Sequence, residues 1–386
     1  MGVHSRTQDH SCLTRGEQSV FEAIRDHLSK HATQYFPDLV GTGTVHLEGR
    51  TRPERRRFSF VYRFDISAGG EILHRVAAKV PCQRNAVSVV DGMGDQRLVS
   101  RASKEYEALV TLQRISRDVS PAWRPVRVLD YVGKANAILT EWASGPTLAH
   151  LLTSWQLILN LRPNYRTILE RLVYDCGRGL KEWHLRTATQ IDPTCNGRRL
   201  LADCEEYLHQ LEQHGVPEGT LERIRTRLLQ RSPEVPGASE AGRLIGDFQP
   251  RNIIVRREGV TVLDPSSGMV GPCLEDVGKF LISMRTLGLN SWRFRAHRPT
   301  RLRWFELAFL RGYFGDGPIS PLTDLYLVKH LIRRWYEVLV ALEEKGLPRP
   351  VRNAVRDSYL GRYFTAEVYG QLNEVERASS ALADGT

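Results

Sequence analysis

With 386 residues, 41% of them hydrophobic and 25% charged, the chain has the balance of a globular protein, not a disordered or fibrous one, and its length favours two lobes over one core. No apolar run approaches the roughly 20 residues that span a bilayer; the start "MGVHSRTQDH" lacks the apolar core of a secretory signal and the Ser or Thr that myristoylation needs at position 6, so a cytoplasmic protein is expected. The formal charge of +10 points to acidic partners, yet the basic clusters at 50–57 and 293–304 sit in no DNA-reading motif, and no specific nucleic acid is expected.

In chain order, residues 17–36 carry Val20, Phe21, Ile24 and Leu28 at helical spacing, which predicts a helix in an N-terminal extension over 1–40. "TVHLEG", "FSFVYRFDI" and "ILHRVAAKV" are short, rich in β-branched and aromatic residues, and divided by the turn-like "RTRPERR" and "SAGGE"; they predict an antiparallel three-stranded meander. A helix over 96–115 follows, with Leu98, Val99, Ala102, Tyr106, Leu109 and Leu112 on one side. The strands "VRVLDYV" and "ANAILTEW" complete a first lobe over 41–142, and "ASGPTL" reads as a hinge.

From 143 to 386 the pattern is helical, with segments at 147–160, 165–187, 199–213, 217–231, 275–286, 302–314, 320–345 and 350–377. One interruption is expected there, a hairpin of "RNIIV" and "VTVLD" turning near Gly259. The fold class is therefore α+β: a small antiparallel sheet with one inserted helix, then a large helical lobe. The six cysteines form no C-x-x-C pair and stand near no His cluster, which argues against zinc and against a disulfide framework and leaves buried free thiols.

The chemistry concentrates in "LIGDFQPRNIIV", where Asp247 and Asn252 stand between apolar flanks. That spacing alone means little, since Asp130 with Asn136 and Asp192 with Asn196 miss it by one residue each. The third acid separates it from them: a hairpin brings its ends together, so Asn252 and Asp264, at its exit in "VLDP", can point at one spot. An amide oxygen and a carboxylate suit Mg²⁺ that keeps waters and phosphate oxygens as its other ligands. Asp247, on the entering loop, is placed to accept a proton from a substrate hydroxyl.

Kinase-type phosphoryl transfer divides its labour in this way, and also needs a lysine on the third strand with a helix glutamate to hold it. "HRVAAKVP" resembles the V-A-x-K strand and makes Lys79 the candidate for the nucleotide phosphates. Glu105 in "SKEYEAL" lies on the apolar side of the next helix; Glu107 is the rival and projects further from that face.

These pieces, with "ILTEWASGPTL", "GRGLKEWH", "VLDPSSGMVGPCLEDVGKF" and "FLRGYF", resemble in order the aminoglycoside phosphotransferase and choline-kinase-like family. The resemblance implies a two-lobed, protein-kinase-like fold with ATP in the cleft, Asp247 as base, and magnesium on Asn252 and Asp264. It implies a hinge from Leu139 to Trp142, including Glu141, that contacts adenine through backbone groups. It also implies that Asp276 braces the catalytic loop and that His184 is a packing residue. Two departures stand out: Ile245 replaces the family's His before Gly-Asp, and "EGRTRPERRRFS" lacks the glycines of a phosphate-covering turn. Arg55, Arg56 and Arg57 either replace part of that attraction or form a solvated tip.

The expected function is ATP-dependent phosphotransfer to a hydroxyl of a small molecule. A nucleotide-binding module without turnover and a basic nucleic-acid-binding protein are the alternatives. No D-F-G or A-P-E follows Asp264, which favours a small acceptor over a protein. The basic, aromatic "SWRFRAHRPTRLRW" suits an anionic or sugar-like acceptor better than a polycation.

Overall fold

The computed structural model describes residues 14–42, 44–116, 122–154, 164–189, 197–231, 240–265, 269–287, 289 and 299–383. The chain divides into two compact units, Met1–Arg114 with Pro125–Ser144, and Ile115–Arg124 with Gly145–Thr386.

The first unit opens with α1 (Arg15–Tyr35). Thr14 starts it with a capping box, accepting the Glu17 N–H at 3.3 Å while Glu17 accepts the Thr14 N–H at 3.0 Å; such a cap contributes about 1 kcal/mol. The buried Val20, Ile24, Leu28 and Ala32 repeat every fourth residue and form one stripe. The strands are β1 (Val45–Gly49), β2 (Glu54–Arg55), β3 (Ser59–Ala68) and β4 (Glu71–Pro81). After α2 (Gln96–Ile115) the chain passes through β5 (Trp123–Pro125), most of which belongs to the second unit, and continues in the first unit with β6 (Val128–Val132) and β7 (Ala137–Glu141). The antiparallel sheet runs β1–β3–β4–β7–β6, with β2 added on β3.

Alternation along β3 buries Phe60, Tyr62, Phe64 and Ile66 on one face, and α1 packs there, Phe21 stacking on Phe64 at 5.4 Å. Thus α1, predicted as part of an extension over 1–40, shares the sheet's core. On β4, Val76, Ala78 and Val80 face that core, which turns Lys79 to the other side.

In the second unit α3 (Leu148–Leu152), α4 (Tyr165–Thr187), α5 (Gly197–Gln213) and α6 (Glu218–Arg231) precede β8 (Ala241–Arg243). The hairpin β9 (Ile253–Arg256) and β10 (Gly259–Val262) follows, then β11 (Val270–Pro272) and α7 (Leu274–Arg285). The chain continues through α8 (Pro299–Phe314), α9 (Leu322–Glu343), α10 (Arg349–Ala354), a π-helical segment Val355–Leu360 and α11 (Gly361–Ala383). The sequence predicts one hairpin here, but β10 also pairs with β5, and β8 pairs with β11. Three-residue strands are too short to show a period of two, and β11 is built largely of Gly271 and Pro272.

Helices α4 and α8 meet backbone to backbone. A Cβ on Gly177 would lie 2.2 Å from the Phe309 carbonyl oxygen, and one on Gly312 2.1 Å from that of Tyr174. Glycine at both positions permits the approach that brings His184 of α4 to Tyr313 of α8. Helix α7 is buried nearly all round, with Val277, Phe280, Leu281 and Met284 enclosed. Its Phe280 stacks on Phe248 at 5.2 Å and on Phe309 at 4.2 Å. Among the described residues, Cys82, Cys176, Cys204 and Cys273 are free and buried, and no helix is long and apolar enough to cross a membrane.

Candidate active site

In the first unit, Lys79 of β4 donates to Glu105 of α2 at 2.6 Å. Glu105 sits within the apolar stripe of Leu98, Ala102, Leu109 and Leu112 and is 4% exposed. Its rival Glu107 is exposed and takes only the Ser103 hydroxyl, at 3.4 Å. A charge so enclosed must be paired, and the ammonium provides the pairing.

Glu141 and Trp142 lie along β7 and its exit, where Val76 stands opposite Glu141 and Lys79 opposite Ile138. Their backbone N–H groups are spent on the sheet, Glu141 donating to the Arg127 carbonyl and Trp142 to that of Arg75, both at 2.8 Å. The Trp142 ring lies 5.4 Å from the Arg63 guanidinium. The arginines before β3 divide their roles. Arg55 donates to the carbonyls of Ser59, Gln83, Arg84 and Ala86, binding β2 to the following turn. Arg56 pairs with Glu54 at 2.8 Å, and Arg57 lies over the Phe58 ring.

In the second unit a loop leads from β8 to β9. Gly246 has φ +79, a conformation that costs glycine little, and it turns two successive N–H groups toward one carboxylate. Asp276 accepts the Ile245 N–H at 2.7 Å and the Gly246 N–H at 2.8 Å. The Ile245 side chain, 1% exposed, points into the core. Phe248, fully buried on Phe280, anchors the other side of Asp247. An apolar residue before Gly246 therefore leaves the loop held, because its backbone and not its side chain makes the attachment.

His184, read from the sequence as packing, is instead a polar brace. Its Nε2 lies 3.3 Å from Asp276 Oδ2 and its Nδ1 2.8 Å from the Tyr313 hydroxyl. Burial, with nearby acids adding to it, pushes the Tyr313 phenol well above its ordinary range, so it remains a proton donor. His184 thus bridges the Tyr313 hydroxyl and the Asp276 carboxylate through its two ring nitrogens. Packing and hydrogen bonding coexist here, which an apolar pattern does not separate.

Both carboxylate oxygens of Asp247 are engaged. Oδ2 accepts from Asn252 Nδ2 at 2.7 Å and from Gln249 Nε2 at 3.0 Å, and Oδ1 lies 2.8 Å from Lys279 Nζ. Asn252 Nδ2 also donates to the Asp247 carbonyl at 3.0 Å. With its nitrogen committed, the Asn252 side chain has its oxygen as the group to offer a cation. The hairpin sets Asp264 nearby, since Leu263 donates its N–H to the Asn252 carbonyl at 2.8 Å. Asp264 has φ +50, strained for a residue with a side chain, and such strain concentrates at functional sites.

Among the described residues no group of three or more His, Cys, Asp and Glu side chains could hold a metal ion. A cation on Asn252 and Asp264 would take its other ligands from water and phosphate, a donor set of hard oxygens that fits Mg²⁺. Lys279 and Gln249 escaped the sequence reading. The signal for Lys279 was present: a charge in the apolar "LEDVGKF", one helical turn after Asp276 and so on the same side. Much of the basic segment at 293–304 lies outside the described residues; at its end, the Arg166 guanidinium lies 3.3 Å from the centre of the Trp304 ring.

The model of the phosphotransferase enzyme family matches residues 94–316, more than half of the chain. The chain belongs to that family. The match takes in Glu105, Asp247, Asn252, Asp264, Asp276 and Lys279, and begins after Lys79. Among solved structures, this phosphotransferase is similar to a choline/ethanolamine kinase family protein from Mesorhizobium loti, with 14% identity, a TM-score of 0.51, and 92% of this chain and 99% of that chain covered. That likeness shows the fold, the protein-kinase-like α+β arrangement. It is also similar to a choline kinase from Cryptosporidium parvum, with 10% identity, a TM-score of 0.47 and coverage of 95% and 97%. A macrolide 2'-phosphotransferase from Brachybacterium faecium gives 13%, 0.44, 87% and 97%. Only the first bears on the fold. No curated protein matches the sequence.

Proposed function

We propose that this phosphotransferase moves the γ-phosphoryl group of ATP to a hydroxyl of a small molecule. The observation that carries the reading is the bonded pair Asp247 and Asn252, held on Asp276 by backbone N–H groups. In the step, the acceptor O–H bond breaks and an O–P bond forms, while the bond from the γ-phosphorus to its bridging oxygen breaks. The electron pair stays on the bridging oxygen of ADP, and the proton passes to Asp247. Lys79, held by Glu105, orients the nucleotide phosphates. Magnesium on Asn252 and Asp264 would neutralise phosphate charge.

The acceptor we propose is sugar-like or anionic, on the support of the basic and aromatic residues at 293–304. The buried free thiols support a cytoplasmic setting.

A screen of ADP release with Mg²⁺ over sugars, amino alcohols, nucleosides and antibiotics tests this reading. Acceptor-dependent ADP release is expected. Nucleotide binding without turnover for any acceptor would favour the module without activity, a reading that the glycine-poor turn before β3 keeps in play.

A further inference from the structure

Lys279 stands where the sequence pattern has no use for it. Helix α7 buries Val277, Gly278, Phe280, Leu281 and Ile282 around it, yet its ammonium leaves that apolar helix to reach the loop at Asp247. There it makes two contacts on adjacent residues, donating to the Gly246 carbonyl at 2.7 Å and lying 2.8 Å from Asp247 Oδ1. A contact with the carboxylate alone would be an ordinary ion pair. Gripping the carbonyl of the preceding residue as well fixes both the backbone and the side chain of Asp247 relative to α7.

The same helix holds that loop a second time. Asp276, one turn earlier, accepts hydrogen bonds from the N–H groups of Ile245 and Gly246, while Lys279 donates one to the Gly246 carbonyl. The peptide units on both sides of Gly246 are thus clamped by one acid and one base from a single rigid element. Oδ2 of Asp247 already accepts two amide hydrogen bonds, from Asn252 and Gln249. Among the described residues Oδ1 meets the Lys279 ammonium alone, so its remaining lone pair is the one with room for an acceptor hydroxyl.

We propose that Lys279 is the positioning residue of this phosphotransferase: it aims Oδ1 of Asp247 at the acceptor hydroxyl and keeps a positive charge beside the oxygen that attacks phosphorus. The assignment rests on the phosphotransfer reading above. A hydroxyl bonded to Oδ1 shares that oxygen with Lys279, which sets the ammonium roughly one further hydrogen bond, about 3 to 5 Å, from the attacking oxygen. A fixed charge at that range stabilises the negative oxygens of the phosphoryl group in transfer without moving to do so. The lysine takes no part in the bond changes. The acceptor proton still goes to Asp247, and the electron pair still leaves with the bridging oxygen.

The test uses the full chain with Mg²⁺ and ATP, and the best acceptor from the ADP-release screen. Lys279→Met is expected to lower kcat by about 10- to 100-fold with less than a threefold change in KM for ATP. Lys279→Arg, whose fork can still reach a carbonyl and a carboxylate, is expected to stay within about threefold of the wild-type rate, clearly above Lys279→Met. Lys279→Ala is expected to recover turnover with added methylammonium, a response that a purely structural lysine would not produce. Melting temperature and nucleotide binding of each variant separate loss of fold from loss of rate. If the wild type turns over and Lys279→Met stays within twofold of it, or exceeds it, the assignment is wrong while the phosphotransfer reading stands. If Met and Ala variants fold and bind nucleotide but neither arginine nor methylammonium restores rate, positioning is also refuted. A wild type that binds nucleotide and transfers nothing removes the reading and the assignment together.

Discussion

Asp276 accepts the N–H of Gly246 at 2.8 Å, and through that bond a buried helix fixes the residue immediately before Asp247. The carboxylate is 1% exposed and also holds Ile245 and His184. Removing it orphans buried donors, each costing about 1–3 kcal/mol. Asp276→Ala is therefore expected to lower stability by about 3 kcal/mol and kcat by at least 100-fold, read by denaturant unfolding and ADP release. Asp276→Asn, which keeps one acceptor oxygen, is expected to fall between the variant and the wild type.

Because the loop is held by its backbone, installing the family's histidine at position 245 brings nothing. The Ile245 side chain is 1% exposed, and a ring there would strain the packing and bury a polar group. Ile245→His is expected to cost about 1–3 kcal/mol and to leave turnover unchanged or lower. Thermal unfolding and ADP release on the same preparation check this. A gain in rate would mean that the side chain, and not the backbone, limits the pose of Asp247.

For the pair in the first unit, Lys79→Met takes the ammonium from a glutamate that is 4% exposed. The expected result is at least a tenfold weaker affinity for ATP, with about 1–3 kcal/mol lost from the fold. Glu105→Gln keeps a hydrogen-bonding partner for Lys79 and is expected to weaken affinity less. Nucleotide titration of the three proteins orders them.

Asp324 offers a test in pH. Burial pushes its carboxyl up to about 6, against the attraction of Arg285. Its folded affinity for a proton exceeds that of the unfolded chain, whose value is about 3.9. The contribution of Asp324 to stability is therefore full below pH ~4 and is lost as the pH rises through 6, by about 2–3 kcal/mol in all. Asp324→Asn, still able to meet Gln371, is expected to melt several degrees above the wild type at pH 8 and close to it at pH 4.5. Equal melting at pH 8 would show that Asp324 ionises there without strain.

The sequence carries the periodic parts of this molecule openly. Helix α4 runs over the same residues, 165–187, that its apolar spacing predicts, because Leu169, Val173, Cys176, Leu180 and Trp183 all face one core. The partnership of Lys79 and Glu105 was also legible, from a charge on an apolar strand and another on an apolar helix face. Three-residue strands such as β8 and β11 were not, since two short pieces brought together by a long chain excursion leave no local pattern. The polar role of His184 was hidden for a related reason: its helix neighbours explain its burial, and only the fold reveals Asp276 at its tip. Lys279 was visible as a charge in an apolar helix, but its partner Asp247 was not.

The most direct measurement of the central claim is ADP release by Asp247→Asn in the presence of Mg²⁺ and the best acceptor. The substitution keeps the shape of the side chain and one oxygen for Gln249 and Asn252, but it replaces the basic carboxylate that takes the acceptor's proton by a neutral amide. The account predicts a loss of at least 100-fold in kcat, with nucleotide affinity and melting temperature close to those of the wild type. Turnover within a few-fold of the wild type would contradict it.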